Sequence, residues 1–216
     1  MREVFALINK EYNQERRQKY ALNAILIYVV ATLYIINLSF QQLDPLVWIS
    51  MLWIILLFST INACSRSFIQ ESNGSLLMFY SLVSPAKYLT AKYIYNLFWT
   101  LLLSAITLFG FILFFGNVFP SFGYISLILL VGGFGISANL TMSSAIASKG
   151  KGGAMLMAIL SFPVMIPQLL LLIKLTKKAL DGFAISGGYS LFVQLLAIDL
   201  IVVVVSYLLF PYLWRD

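Results

Sequence analysis

Charge-free stretches divide this chain. They run over 20–43, 45–65, 93–148, 152–173 and 182–214, the last interrupted only by Asp199. A helix needs about 20 apolar residues to cross a hydrocarbon layer ~30 Å thick. The stretch 93–148 is too long for one helix, and Gly116-Asn117-Val118-Phe119-Pro120-Ser121-Phe122-Gly123 carries turn chemistry in its middle. It therefore predicts two helices joined by a short uncharged hairpin. The expected fold is all-α: a single domain over 1–216 with six transmembrane helices, near 21–41, 46–65, 93–116, 124–147, 153–173 and 189–210. No internal repeat of 20–50 residues is visible.

Composition agrees with that pattern and removes other classes. Mean hydropathy is +0.94 and 61% of residues are apolar, more than the exterior of a soluble domain of this size tolerates. Of the 22 charged residues (14 Lys or Arg, 8 Asp or Glu), eight fall in the first 19. The net charge of +6 comes from Lys and Arg at span ends, not from a basic patch, so no nucleic-acid partner is expected and the lipid bilayer is the partner the charges imply. Leu38-Ser39-Phe40-Gln41 offers no small-x-small cleavage site, so the first apolar helix reads as an uncleaved span. Eleven Lys and Arg fall on the side of the N-terminal tail and three (Lys174, Lys177, Lys178) on the other, which predicts cytoplasmic termini. The loop 174–188 runs against this rule.

Two segments are neither span nor simple loop. Residues 1–20 interleave Val4, Phe5, Leu7, Ile8 and Tyr12 with charges at helical spacing, as an interfacial helix along the cytoplasmic surface would. Residues 66–92 form the largest cytoplasmic loop. Its apolar run 76–83 is too short to span, and reads either as a docking surface for another protein or as a segment lying in the headgroups. Ser84-Pro85-Ala86-Lys87 then punctuates the chain before it re-enters the membrane.

Little of the usual chemistry is available. There is no His, so the commonest metal ligand, general base and axial haem ligand are missing, and the lone Cys64 can form no intrachain disulfide. Ser148-Lys149-Gly150-Lys151-Gly152-Gly153 is not a phosphate loop. A Walker A needs a Gly where Ala145 stands and Ser or Thr where Gly152 stands. It reads as a tight basic turn. An integral-membrane enzyme would need paired carboxylates or a metal cluster in its spans, and a channel a charged or carbonyl-rich filter; neither stands out.

Asp199, near the middle of the last span, costs about 2.5–3.5 kcal/mol on insertion scales if charged. It is either a substrate-path or proton-linked group, or a packing residue bonded to Asn96, Asn139 or a neighbouring Ser. Pro163 and Pro167, at i and i+4, should kink or break span 5, as a hinge or as a static bend. Gly132, Gly133, Gly135 and Ala138 give span 4 a small-residue face for close packing or self-association, and Asn62, Asn96 and Asn139 read as interhelical glue.

Phe68-x-x-Glu71-x-x-Gly74-x-Leu76, followed by Ser84-Pro85 and Lys92, resembles the cytoplasmic segment of ABC-2-type export permeases. Within that class the chain is similar to the haem exporter protein B family (CcmB) of cytochrome c maturation. Lys10-Glu11-Tyr12-x-x-Glu15-Arg16-Arg17 resembles its N-terminal elbow, Leu160-Ser161-Phe162-Pro163-Val164-Met165-Ile166-Pro167 its fifth span, and Leu209-Phe210-Pro211 its C-terminal end. The resemblance implies an ABC-2-type permease architecture in the bacterial inner membrane and no catalytic centre. Phe68, Glu71, Gly74 and Leu76 would dock a separate ABC ATPase subunit that binds the ATP. Haem-handling membrane subunits and a second copy of the chain would be partners, with no cofactor held by this chain and haem handled mainly by those partners. Pro163, Pro167 and Asp199 remain candidates for a hinge or pathway. The other readings are a small ABC-2 permease for lipid, peptide or drug, and a non-ABC membrane channel.

Overall fold

A computed structural model of the chain describes residues 2–17, 19–40, 42–69, 83–150, 153–182 and 185–215. These form α1 (Arg2–Arg17), α2 (Lys19–Ser39), α3 (Pro45–Cys64), the short α4 (Arg66–Ile69), α5 (Pro85–Phe115), α6 (Phe122–Lys149), α7 (Gly153–Leu180) and α8 (Ile185–Arg215). Among the described residues, five helices are long and apolar enough to cross a membrane: α3, α5, α6, α7 and, within α8, Gly187–Trp214. The apolar part of α2, Asn23–Ser39, is shorter than the other five. The expected first span thus rests on a helix at the lower limit of membrane length.

Local chemistry sets the helix ends. Asp44 caps α3, its carboxylate accepting from the Leu46 N–H at 2.8 Å, with Pro45 in the first turn where its missing N–H costs nothing. Ser84-Pro85, expected as punctuation before a span at 93, instead begins α5 eight residues earlier. At ~1.5 Å per residue this 31-residue helix is about 46 Å long, so it extends well beyond a hydrocarbon layer of ~30 Å. The expected hairpin is present between α5 and α6. Gly116 closes α5 at φ 80°, a left-handed value that favours glycine, and the Asn117 side chain bonds both N–H and C=O of Phe119.

The three lysines that ran against the charge rule are not in a loop. Lys174, Lys177 and Lys178 lie in the last two turns of α7, where cations complement the helix dipole, and Lys178 donates to the Gly187 carbonyl at the start of α8. Their position answers to the needs of a helix end, independently of membrane orientation.

α6 is the centre of the bundle and packs against α3, α4, α5, α7 and α8. Its small residues permit this. A Cβ on Gly132 would meet Leu172 and Trp53, one on Gly133 would meet Leu101 and Thr100, and Ala138 is buried. The small-residue face is therefore consumed within the chain and offers no self-association surface. Polar side chains bridge the helices at several levels: Asn96 donates to Thr141 (2.9 Å), Asn139 to the Ser161 carbonyl (3.3 Å), and the Trp53 indole to Thr176 (3.0 Å). The Asn62 side chain, by contrast, donates to the Phe58 carbonyl of its own helix. α7 runs unbroken through Pro163 and Pro167, so the expected break is absent.

Gly135 is the tightest of these contacts, since a Cβ there would overlap both Asp199 and Gln168. Gly135→Ala should destabilise the purified protein by about 1–3 kcal/mol through overpacking. Gly123→Ala, at an open position in the first turn of α6, should leave the thermal midpoint unchanged or raise it slightly.

Candidate functional site

Three stretches far apart in sequence meet at the end of the bundle where α1 packs on α5. α1 turns one stripe inward, with Leu7 and Glu11 buried and Val4 and Ile8 half-buried, while Phe5 and Tyr12 point outward. Its acidic residues meet α5 in order: Glu3 with Lys87 at 2.8 Å, Glu11 with Lys92 at 3.0 Å, and Glu15 accepting from the Tyr95 hydroxyl. Lys87, fixed at an exposed position, holds the Glu3 carboxyl below the usual carboxylate range by hydrogen bond and charge.

Lys92 is the centre of this end. It is 1% exposed, and a buried ammonium is tolerated only when paired and fully hydrogen-bonded. Besides Glu11, its Nζ donates to the Ser67 carbonyl in α4 and lies 5.0 Å from the Phe68 ring centre and 5.5 Å from that of Tyr88. Phe68 is itself buried, 5.9 Å from both the Tyr88 and Phe210 rings, and Trp214 closes the cluster 4.7 Å from Tyr88. One lysine thus ties α1, α4 and α5 together, and the aromatic rings add the end of α8.

Of the candidate docking residues, Phe68 is an internal anchor and presents no face outward. Glu71, Gly74 and Leu76 lie outside the described residues. The motif fragments from the elbow (Glu11, Glu15), the 66–92 segment (Phe68, Lys92) and the C-terminal end (Phe210) converge on this one junction. Charge pattern alone would not have separated Lys92 from the other span-end lysines. The distinguishing signal is its aromatic company in sequence, Tyr88, Tyr93 and Tyr95.

The second candidate group lies mid-bundle. Asp199 is buried at 1% exposure, and its Oδ1 accepts from Gln168 at 2.9 Å. The partner is neither Asn96 nor Asn139, which bond elsewhere. Pro163 and Pro167 lie on the exposed side of α7, while Gln168, the next residue, points inward.

Five membrane-length apolar helices around interhelical polar bonds define a multi-pass membrane protein. Residues 2–212 match the family model for CcmB protein, and the chain belongs to the CcmB family. Members are membrane components of the haem exporter in cytochrome c maturation. No curated protein and no solved structure gives a significant match.

Removing one member of a buried ion pair costs about 3–5 kcal/mol when the other is left without a partner, whereas apolar replacement of both can be near neutral. The cost is less for Lys92→Met, because Glu11 keeps Lys10 at 3.4 Å. Lys92→Met and Glu11→Leu should each lower the thermal midpoint clearly, and the double variant should be more stable than either, as a double-mutant cycle would measure. The exposed Glu3–Lys87 pair should behave differently. Because the Glu3 pKa is lowered, its contribution is complete above the unfolded-chain value of about 4.3 and disappears as pH falls through the lower folded value. Moderate salt should weaken it, whereas the buried pair should be nearly indifferent.

Proposed function

We propose that this chain is the permease subunit of an ABC-type complex in cytochrome c maturation, transmitting ATP hydrolysis in a separate subunit to haem export or delivery outside the cytoplasm. The observation that carries the reading is the rooting of the segment after Phe68. Phe68 and Ser67 are fixed to Lys92, and through it to α1 and α8, so a push on residues 70–84 is passed to several helices at once. Phe68 acts as the anchor, and Glu71, Gly74 and Leu76 supply the surface that meets the ATPase.

In this account α2 is the first of six spans, with α1 an interfacial helix whose exposed Phe5 and Tyr12 rest among headgroups. The Lys and Arg distribution supports cytoplasmic termini, and membership of the CcmB family supports a bacterial inner-membrane setting. Six helices are few for a transport path, and ABC-2 architecture supports two copies per complex. The exposure of Pro163 and Pro167 on the unbroken α7 is what suggests a hinge or pathway along the outer face of this chain, against a second copy or a haem-handling subunit. With no His, haem itself is held mainly by those partners and is cargo here.

Co-purification tests the reading. Glu71→Arg and Gly74→Trp should release the ATPase and abolish holo-cytochrome c formation. Phe68→Ala should leave the ATPase bound while lowering holo-cytochrome c several-fold, because the lever has lost its root. An ATPase that stays bound and coupled in both surface variants would refute the docking assignment. Unimpaired holo-cytochrome c in all three would refute the maturation role.

A further inference from the structure

The Asp199 carboxyl group has an environment that helix packing alone does not require. It stands near the middle of α8, a 31-residue helix, and is 1% exposed. Oδ1 takes one neutral hydrogen bond from the Gln168 amide, while Oδ2 has no partner among the described residues. A lone ionised carboxylate in so dry a place loses far more hydration free energy than the neutral acid does. Gly135 brings the α6 backbone against both side chains and leaves no room for water on that side.

Among the described residues no cation pairs with Asp199, and the lysines of α5, Lys87 and Lys92, are paired with Glu3 and Glu11 at the junction. Of the titratable groups on the helices packed against α8, the nearest along α7 is Lys174, six residues past Gln168, about 9 Å along the axis, and on the exposed side. α6 carries Tyr124 and Lys149 at its two ends, and α5 carries Tyr93 and Tyr95 toward the junction. On α8 itself Tyr207, two turns from Asp199, shares a 2.6 Å hydrogen bond with Thr90.

We infer that Asp199 is a proton-binding site inside the bundle, carrying a proton on Oδ2 while α6, α7 and α8 are closed. Separation of these helices would admit water. The Oδ2–H bond then breaks, the proton passes to a water molecule as hydronium, and the electron pair stays on the carboxylate. Closure reverses the step. The inference does not depend on the cargo or on the ATPase partner.

Infrared spectroscopy of the full chain in lipid nanodiscs tests it. Near neutral pH the wild type should show a protonated-carboxyl C=O band that shifts slightly in D2O and is lost in Asp199→Asn. Gln168→Leu, which removes the hydrogen bond to Oδ1, should move the same band to higher frequency, and this serves if Asp199→Asn does not fold. The inference is overturned if the wild type has no such band near neutral pH. It is equally overturned if Asp199→Asn removes carboxylate absorption instead, or if Gln168→Leu leaves the band in place.

Discussion

The ammonium group of Lys92 is the constraint on which one end of this molecule is organised. A charge buried to 1% exposure must be answered from all sides, and here the answers come from different segments: Glu11 in α1, the Ser67 carbonyl in α4, and the rings of Phe68 and Tyr88. A polar demand that no single helix meets forces several to assemble in one arrangement. Phe210 and Trp214 then attach the end of α8 through the same rings.

Mid-bundle, the organising demand is close approach. Glycines on α6 let α7, α3 and α5 come near enough for side-chain amides and hydroxyls to bridge them, and in a membrane such bonds have no water to compete with. Asp199 and Gln168 join α8 to α7 in this way, over the bare backbone of Gly135. The Lys92 junction and the mid-bundle pair are mechanically linked, since α8 carries Asp199 in its middle and Phe210 in the junction.

Much of this architecture was legible in the sequence. Charge-free lengths gave the five helices long enough to cross a membrane, and the Gly116–Gly123 turn chemistry separated α5 from α6. Boundaries were less legible, because helices continue beyond the hydrocarbon wherever their charged ends can pack. α5 begins at Pro85 and α7 continues through Lys174 and Lys178 for that reason. The prolines of α7 suggested a break, yet their ring-bearing side faces outward and the helix stays intact. The partner of Asp199 was missed because Gln168, in an apolar run after Pro167, carries no periodic signal. The burial of Phe68 was missed for a similar reason. Short aromatic motifs look the same whether they face a partner or a neighbouring helix, and only the position of Lys92 decides between them.

On this reading α1, α4, the start of α5 and the end of α8 form one cooperative unit centred on Lys92. Hydrogen exchange of the full chain in lipid nanodiscs, comparing wild type with Phe68→Ala, tests it most directly, because amide protection reports which segments open together. Losing one ring should lower protection in α1 and in the last turns of α8 together, while α6 and α7 around Gly135 stay unchanged. Loss of protection confined to residues 66–69, with α1 and α8 as in the wild type, would contradict it.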